Sequence, residues 1–232
     1  MNATIKHRWQ GQSANLISMN ADLVLYYKER AKEYEKIYSK PGRKGDLLLA
    51  EQILQDTFSD KDVFEIACGT GYWTLKISHT AKQILATDIN ASVLEIAKSK
   101  KFLPGKVSFQ EADIFSLTPV KKHQSLFGGF IWSHINNEDL NNFIDIAKSL
   151  VHPGGTMVFM DNNYVEGSNL PIAGNDDSGN TYQIRTLENG TRHKVLKNFP
   201  TEKFIRQLLN GKATDVEFIG LQHYWILKFK NI

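Results

Sequence analysis

The segment Glu65-Ile66-Ala67-Cys68-Gly69-Thr70-Gly71 places an acid and two glycines where they could act on one ligand. Gly69 and Gly71 have no side chains, so a bound molecule can approach the backbone closely. A helix opening just after such a turn directs free N–H groups and the positive end of its dipole into the crevice, which favours a carboxylate or a phosphate. A bare turn between a strand and a helix uses the same residues, and a G-x-G by itself specifies little. Three features narrow the chemistry. Thr74 stands where a dinucleotide fingerprint wants its third glycine. Glu65, beside the turn, would repel a pyrophosphate and attract an ammonium group. Asp88, closing the next apolar run, is an acceptor-only carboxylate able to take two ribose hydroxyls. Asp113 closes the run after that. It could accept from an adenine amino group, with Ile89 and Ile114 against the ring faces, or simply cap a turn. Carboxylates closing successive strands lie where open α/β sheets bind ligands. Together they describe an amino acid joined to a nucleoside.

The surrounding pattern supplies the elements that would hold these groups. Apolar residues at helical spacing predict a helix over Ala21–Tyr38, closed by Pro41 and Gly42, and a second over Leu47–Leu54. Strands and helices then alternate. Strands are predicted over Asp62–Ala67, Gln83–Thr87, Lys106–Gln110, Phe127–Ser133 (Gly128 and Gly129 at its start) and Thr156–Met160. The helices between them are Tyr72–Ser78, Ser92–Ser99 and Asp139–Leu150, the last ending in a His152-Pro153-Gly154-Gly155 turn. This alternation predicts a parallel sheet covered on both faces. Residues 162–199 break the rhythm, with a hairpin expected between Thr181–Thr186 and Thr191–Leu196 around Asn189-Gly190. A helix from Thr201 to Leu209 follows. Asp215–Leu221 and Tyr224–Phe229 are joined so tightly that they must be antiparallel.

Glu65–Gly71 resembles the glycine-rich first motif of class I S-adenosylmethionine-dependent methyltransferases. Ala86-Thr87-Asp88-Ile89-Asn90 resembles their second motif, Ala112-Asp113-Ile114 their third, and His152–Gly155 the turn before their fifth strand. The resemblance runs in order from about Asp62 to the C-terminus. It implies a Rossmann-like, doubly wound α/β fold: a seven-stranded, mostly parallel sheet with an antiparallel C-terminal hairpin. It also implies S-adenosylmethionine as cofactor. Glu65, Ala67, Cys68, Gly69 and Gly71 would frame its methionine end, Asp88 would hold the ribose, and Ile89, Asp113 and Ile114 the adenine. In such proteins N-terminal helices often fold over the cofactor, which gives Tyr26 and Tyr34 a place at the site. The expected organisation is one domain: a helical lid over 1–56, a cofactor-binding core over 57–161, a substrate-side insertion over 162–199, and a C-terminal helix and hairpin over 200–232.

The predicted fourth strand ends in Ile131-Trp132-Ser133-His134, facing the same crevice. His134 titrates near neutrality and is the candidate base or orienting group, and Ser133 a candidate cofactor contact. Trp132 could wall the pocket or pack in the core. Asp161 and Tyr164 could meet substrate, and Arg185, Arg192 and His193 on the hairpin could read an acidic one. The expected reaction is in-line methyl transfer to a small-molecule acceptor. An NAD-dependent oxidoreductase and a catalytically silent cofactor-binding domain are the competing readings. The net charge of +3 comes without a stripe of Lys and Arg interleaved with aromatics, so nucleic acid is not the expected partner. The expectation for localisation is a cytoplasmic protein without a membrane span: one cysteine, Cys68, no apolar run of bilayer length, and no signal-like N-terminus. The seven histidines are scattered without metal-ligand spacing.

Overall fold

Short apolar runs bounded by turns build the sheet, and amphipathic segments between them cover it. The computed structural model describes residues 21–117 and 121–232; the first twenty residues of the expected 1–56 lid lie outside them. Helix α1 (Ala21–Arg30) continues as a 3-10 helix over Ala31–Ser39, then α2 (Lys44–Phe58) leads into the core. There follow β1 (Asp62–Ile66), α3 (Tyr72–Ser78), β2 (Gln83–Asp88), α4 (Ala91–Lys98), β3 (Val107–Glu111), β4 (His123–Gly129), α5 (Leu140–Ser149) and β5 (Val151–Asn162). Strands β6 (Gly174–Asn175), β7 (Thr181–Thr186) and β8 (Arg192–Leu196) form a separate antiparallel sheet. The chain ends with α6 (Glu202–Leu208), β9 (Ala213–Gly220) and β10 (Tyr224–Asn231).

The main sheet has the order β3-β2-β1-β4-β5-β10-β9. Its first five strands are parallel, and β10 runs antiparallel to both β5 and β9. The order reverses between β1 and β4, and the crevice at the strands' carboxyl ends there is where doubly wound sheets hold ligands. Both faces are packed. Trp132, Phe143, Phe159 and Trp225 fill one, with α5 and α6; Leu54, Phe58, Ile77 and Phe127 fill the other, with α2 and α3. Each such fully buried side chain contributes roughly 1.5–3 kcal/mol. The small sheet is covered by α1, whose Leu23 and Tyr26 pack on Leu187 and Val195.

Several elements differ from the sequence expectation. The fourth strand begins four residues earlier than read and stops at Gly129. Its start was hidden because His123 and Ser125, both polar, are buried on partners: His123 Nδ1 lies 3.0 Å from Asp62 Oδ1 and Ser125 Oγ donates to the Asp62 carbonyl. Gly128 and Gly129 close the strand instead of opening it, and a Cβ at Gly128 would sit 2.8 Å from the Phe159 ring. Phe130 then takes a positive φ of 61° and Trp132–His134 forms a 3-10 turn. The His152–Gly155 segment is a bulge inside β5: the register jumps from His123↔Val151 to Ser125↔Thr156. The N-terminal helix is not uniform; its second half tightens to 3-10 geometry from Ala31.

Candidate functional site

The turn after β1 is held in conformations that L-residues rarely adopt. Ala67 has φ 52°, Gly69 56° and Gly71 74°. Backbone bonds fix it: Cys68 N donates to the Thr87 carbonyl at 2.9 Å, and Gly71 N to the Cys68 carbonyl at 3.0 Å. Gly71 is also the point where α3 meets α4, since a Cβ there would lie 3.0 Å from Ala97 Cβ and 3.3 Å from Ala97 Cα. Gly71→Ala therefore combines a disfavoured φ with an overlap against backbone. The expected loss is about 1–3 kcal/mol, read as a lower urea midpoint at unchanged slope.

Asp88 completes the turn. Its Oδ2 accepts from Gly69 N and its Oδ1 from Asn90 N, each at 2.9 Å, while the carboxylate faces the adjoining cavity. Burial raises its pKa to about 6 against the lowering effect of those backbone donors. Glu65 is almost fully buried and, among the described residues, has no ion-pair partner and leaves Oε2 without a hydrogen bond. Burial raises its pKa to about 8; the neighbouring Thr74 opposes this and the Asp88 charge adds to it. A buried carboxylate with an orphaned oxygen costs free energy unless a donor or cation reaches it. An ammonium group fits that requirement.

The cavity over this turn is open at its mouth; counting the solvent there it holds about 830 Å³. Of the residues singled out from the sequence, Ala67, Gly69, Asp88, Ile89, Ile114, Tyr34 and His134 line it. Glu65, Cys68 and Gly71 lie off its wall, in the turn and the strand beneath it. Asp113 caps the following 3-10 turn, accepting from Phe115 N at 3.0 Å, and Tyr26 turns toward a second cavity. Ser133 is fully buried in an ion-pair network and does not reach the wall. Trp132 packs in the core against Phe159 and Trp225. Tyr164 is exposed, its ring against Phe199. The N-terminal segment closes the top of the first cavity with Tyr27 and Tyr34, and Glu35 ties it down by accepting from Thr70 Oγ1 and Lys100 Nζ, each at 2.6 Å. Glu35 was missed because it reads as one more solvated charge on an amphipathic helix.

A second cavity, also open to solvent, lies between the N-terminal helices and the small sheet. Tyr27, Tyr34, Phe130 and His134 line both cavities, so they form the wall between them. His134 Nδ1 lies 2.6 Å from the Leu196 carbonyl, which can only accept, so that nitrogen carries the proton. Nε2 then accepts from the Tyr27 hydroxyl at 2.7 Å. Burial, with Lys197 and Arg185 nearby, holds the His134 pKa well below its usual value. Burial likewise raises Tyr27 to about 12. The pair is thus a neutral base whose lone pair is presented through a phenol. Behind it Lys197 Nζ bonds Asp161 Oδ1 at 2.7 Å and Ser133 Oγ at 2.6 Å, and Ser133 N donates to Asp161 Oδ2 at 2.9 Å.

The strand order, the reversed β10 and the glycine turn after β1 define the Rossmann-like fold of class I methyltransferases. Comparison with known proteins agrees: residues 63–155 match the model of the methyltransferase domain family. An uncharacterized methyltransferase of Bacillus cereus is 22% identical over 186 residues, covering 77% of this chain and 82% of the relative. Among solved structures, the DhpI–SAH complex superposes with a TM-score of 0.76 at 23% identity, covering 90% of this chain and 95% of that one. The DhpI–SAM–HEP complex gives 0.75 at 22% identity, covering 95% and 100%.

Proposed function

We propose that this protein transfers a methyl group from S-adenosylmethionine to a small-molecule acceptor. One observation carries the reading: two cavities share a wall of Tyr27, Tyr34, Phe130 and His134, and the first of them stands over an unpaired buried carboxylate and a ribose-height acid. The structures that superpose on the chain include complexes titled with SAH and SAM, which supports the same cofactor here.

When bound, S-adenosylmethionine supplies a methyl group already activated by a sulfonium. The residues of this chain supply binding, orientation and exclusion of water. Glu65 would meet the ammonium group, Asp88 the ribose hydroxyls, and Ile89 and Ile114 the adenine faces. The shared wall would hold the acceptor's nucleophile in line, and such orientation can contribute roughly 7–11 kcal/mol. An acceptor that must shed a proton has a route: the Tyr27 oxygen takes it while the Tyr27 proton passes to His134 Nε2.

Calorimetric titration tests the cofactor reading. S-adenosylhomocysteine is expected to give heat and NAD none. Asp88→Ala is expected to weaken S-adenosylhomocysteine by at least tenfold, from loss of charge-assisted hydrogen bonds. Heat from NAD with none from S-adenosylhomocysteine would move the chain to the oxidoreductase class.

A further inference from the structure

The second cavity has a charge imbalance that an ordinary wall would not sustain. Its lining includes the cationic side chains of Arg30, Lys40, Arg43, Arg185 and Lys197 and one carboxylate, Glu33. Lys197 is neutralised by Asp161. Glu33 accepts from Glu188 N at 3.5 Å. Neither Arg30, Arg43 nor Arg185 makes an ion pair with any described residue.

Each guanidinium is instead held by neutral groups. Arg43 is 5% exposed, donates to the Ser168 hydroxyl at 2.9 Å, and leaves Nε buried without a partner. Arg185 donates to Gln183 Oε1 at 3.1 Å and, at 3.4 Å, to the Tyr26 hydroxyl. Arg30 lies over the Tyr26 and Tyr34 rings at 5.6 and 5.3 Å. The cations also act on one another: Lys40 is depressed by burial first and then by Arg43, Arg30 and Arg185. Crowding like charges in a partly dry cavity is unfavourable, and an anion there would reverse the sign. Guanidinium groups match the planar or tetrahedral oxygens of such an anion with paired N–H donors.

Resting on the methyltransferase reading, we infer that the acceptor carries an oxyanion, a carboxylate or a phosphoryl-type group, anchored by Arg30, Arg43 and Arg185 in the cavity behind Tyr27 and His134. The anchor sets which molecules are methylated.

Thermal shift on protein saturated with S-adenosylhomocysteine tests this, with inorganic phosphate, sulfate and acetate each compared with chloride at equal ionic strength. Saturation keeps these probes out of the cofactor cavity. At least one oxyanion is expected to raise the midpoint by 2 °C or more at millimolar concentration. A phosphate and sulfate response without acetate assigns the phosphoryl type, and an acetate response the carboxylate type. Arg30→Gln with Arg185→Gln is expected to abolish the shift while retaining the heat of S-adenosylhomocysteine binding. If the double variant does not fold, Arg185→Gln alone is expected to weaken the anion at least fivefold. No shift beyond chloride from any of the three, or a shift unaltered in a variant that still binds S-adenosylhomocysteine, overturns the oxyanion proposal alone. Absence of S-adenosylhomocysteine heat in the parent protein overturns the methyltransferase reading on which it rests.

Discussion

Glu65→Gln is expected to make the cofactor-free protein more stable near pH 8 and, at the same time, to weaken its cofactor. The folded-state pKa of Glu65 is raised from 4.5 to about 8, with burial as the main cause. A raised pKa means that the folded state holds a proton the unfolded chain has released. The stability this gives is complete below pH 4.5 and is lost as the pH rises toward 8. Across that window linkage allows at most about 1.4 kcal/mol per pH unit, and on the order of 2–4 kcal/mol is a reasonable expectation in total. Asp88, raised to about 6, adds a similar slope over a lower and narrower window. Glutamine does not ionise, so the melting temperature of the variant should fall less between pH 5 and 8. With cofactor bound, an ammonium group beside Glu65 would stabilise the charged form, so the parent protein's slope should flatten too. The variant should lose about 1.5–3 kcal/mol of S-adenosylhomocysteine affinity, roughly 10- to 100-fold. Differential scanning calorimetry across pH and isothermal titration read the two halves separately. A variant that melts lower than the parent at pH 8 and binds S-adenosylhomocysteine equally well would show that Glu65 faces neither water shortage nor ligand.

The reversal between stability and binding explains why this part of the molecule was legible in the sequence. An acid at the end of an apolar strand, beside two glycines, contradicts the local logic of a buried run. Asp88 was visible for the same reason, and the antiparallel sense of the terminal hairpin followed from its short link, although β9 begins at Ala213 and β10 runs on to Asn231, beyond the expected Asp215 and Phe229. What stayed hidden lies where tertiary partners change the meaning of a residue. His123 and Ser125 look like loop residues until Asp62 satisfies them. Ser133 looks like a residue of the crevice because it follows an apolar run, but the chain has already turned at Phe130 and carries Ser133 under the wall. The two-residue strand Gly174–Asn175 is too short for any periodicity to register. Lys197 is the clearest case: it sits after an alternating strand among ordinary surface lysines, and only its spatial neighbour Asp161, 36 residues earlier, makes it a buried charge.

That pair is the basis of the second large effect. Asp161→Ala is expected to cost about 3–5 kcal/mol, because it leaves the Lys197 ammonium buried without its counter-ion. The side chains are 0% and 3% exposed, so solvent cannot substitute. The same change removes acceptors from Ser133 N and Asn162 N. At roughly 2–4 °C per kcal/mol for a chain of this size, the melting temperature should fall by about 10 °C. Lys197 is already depressed to about 8, by burial first and with Arg185 and Arg30 adding, against the attraction of Asp161. Without Asp161 the depression deepens. A depressed pKa gives stability that is complete above the unfolded value and lost as the pH falls, so the deficit of the variant should shrink on going from pH 6 to pH 9. Asp161→Leu combined with Lys197→Met removes both charges and should regain most of the loss, since buried pairs often break even with apolar replacements. It does not regain the Ser133 N–H contact, which fixes the 3-10 turn carrying His134. The double variant should therefore melt near the parent while the His134 Nε2–Tyr27 hydroxyl bond loosens, seen as faster exchange of the Tyr27 hydroxyl proton by NMR. If the double variant is as destabilised as Asp161→Ala, the contact to the turn outweighs the ion pair, and Asp161 holds this wall chiefly through the backbone of Ser133.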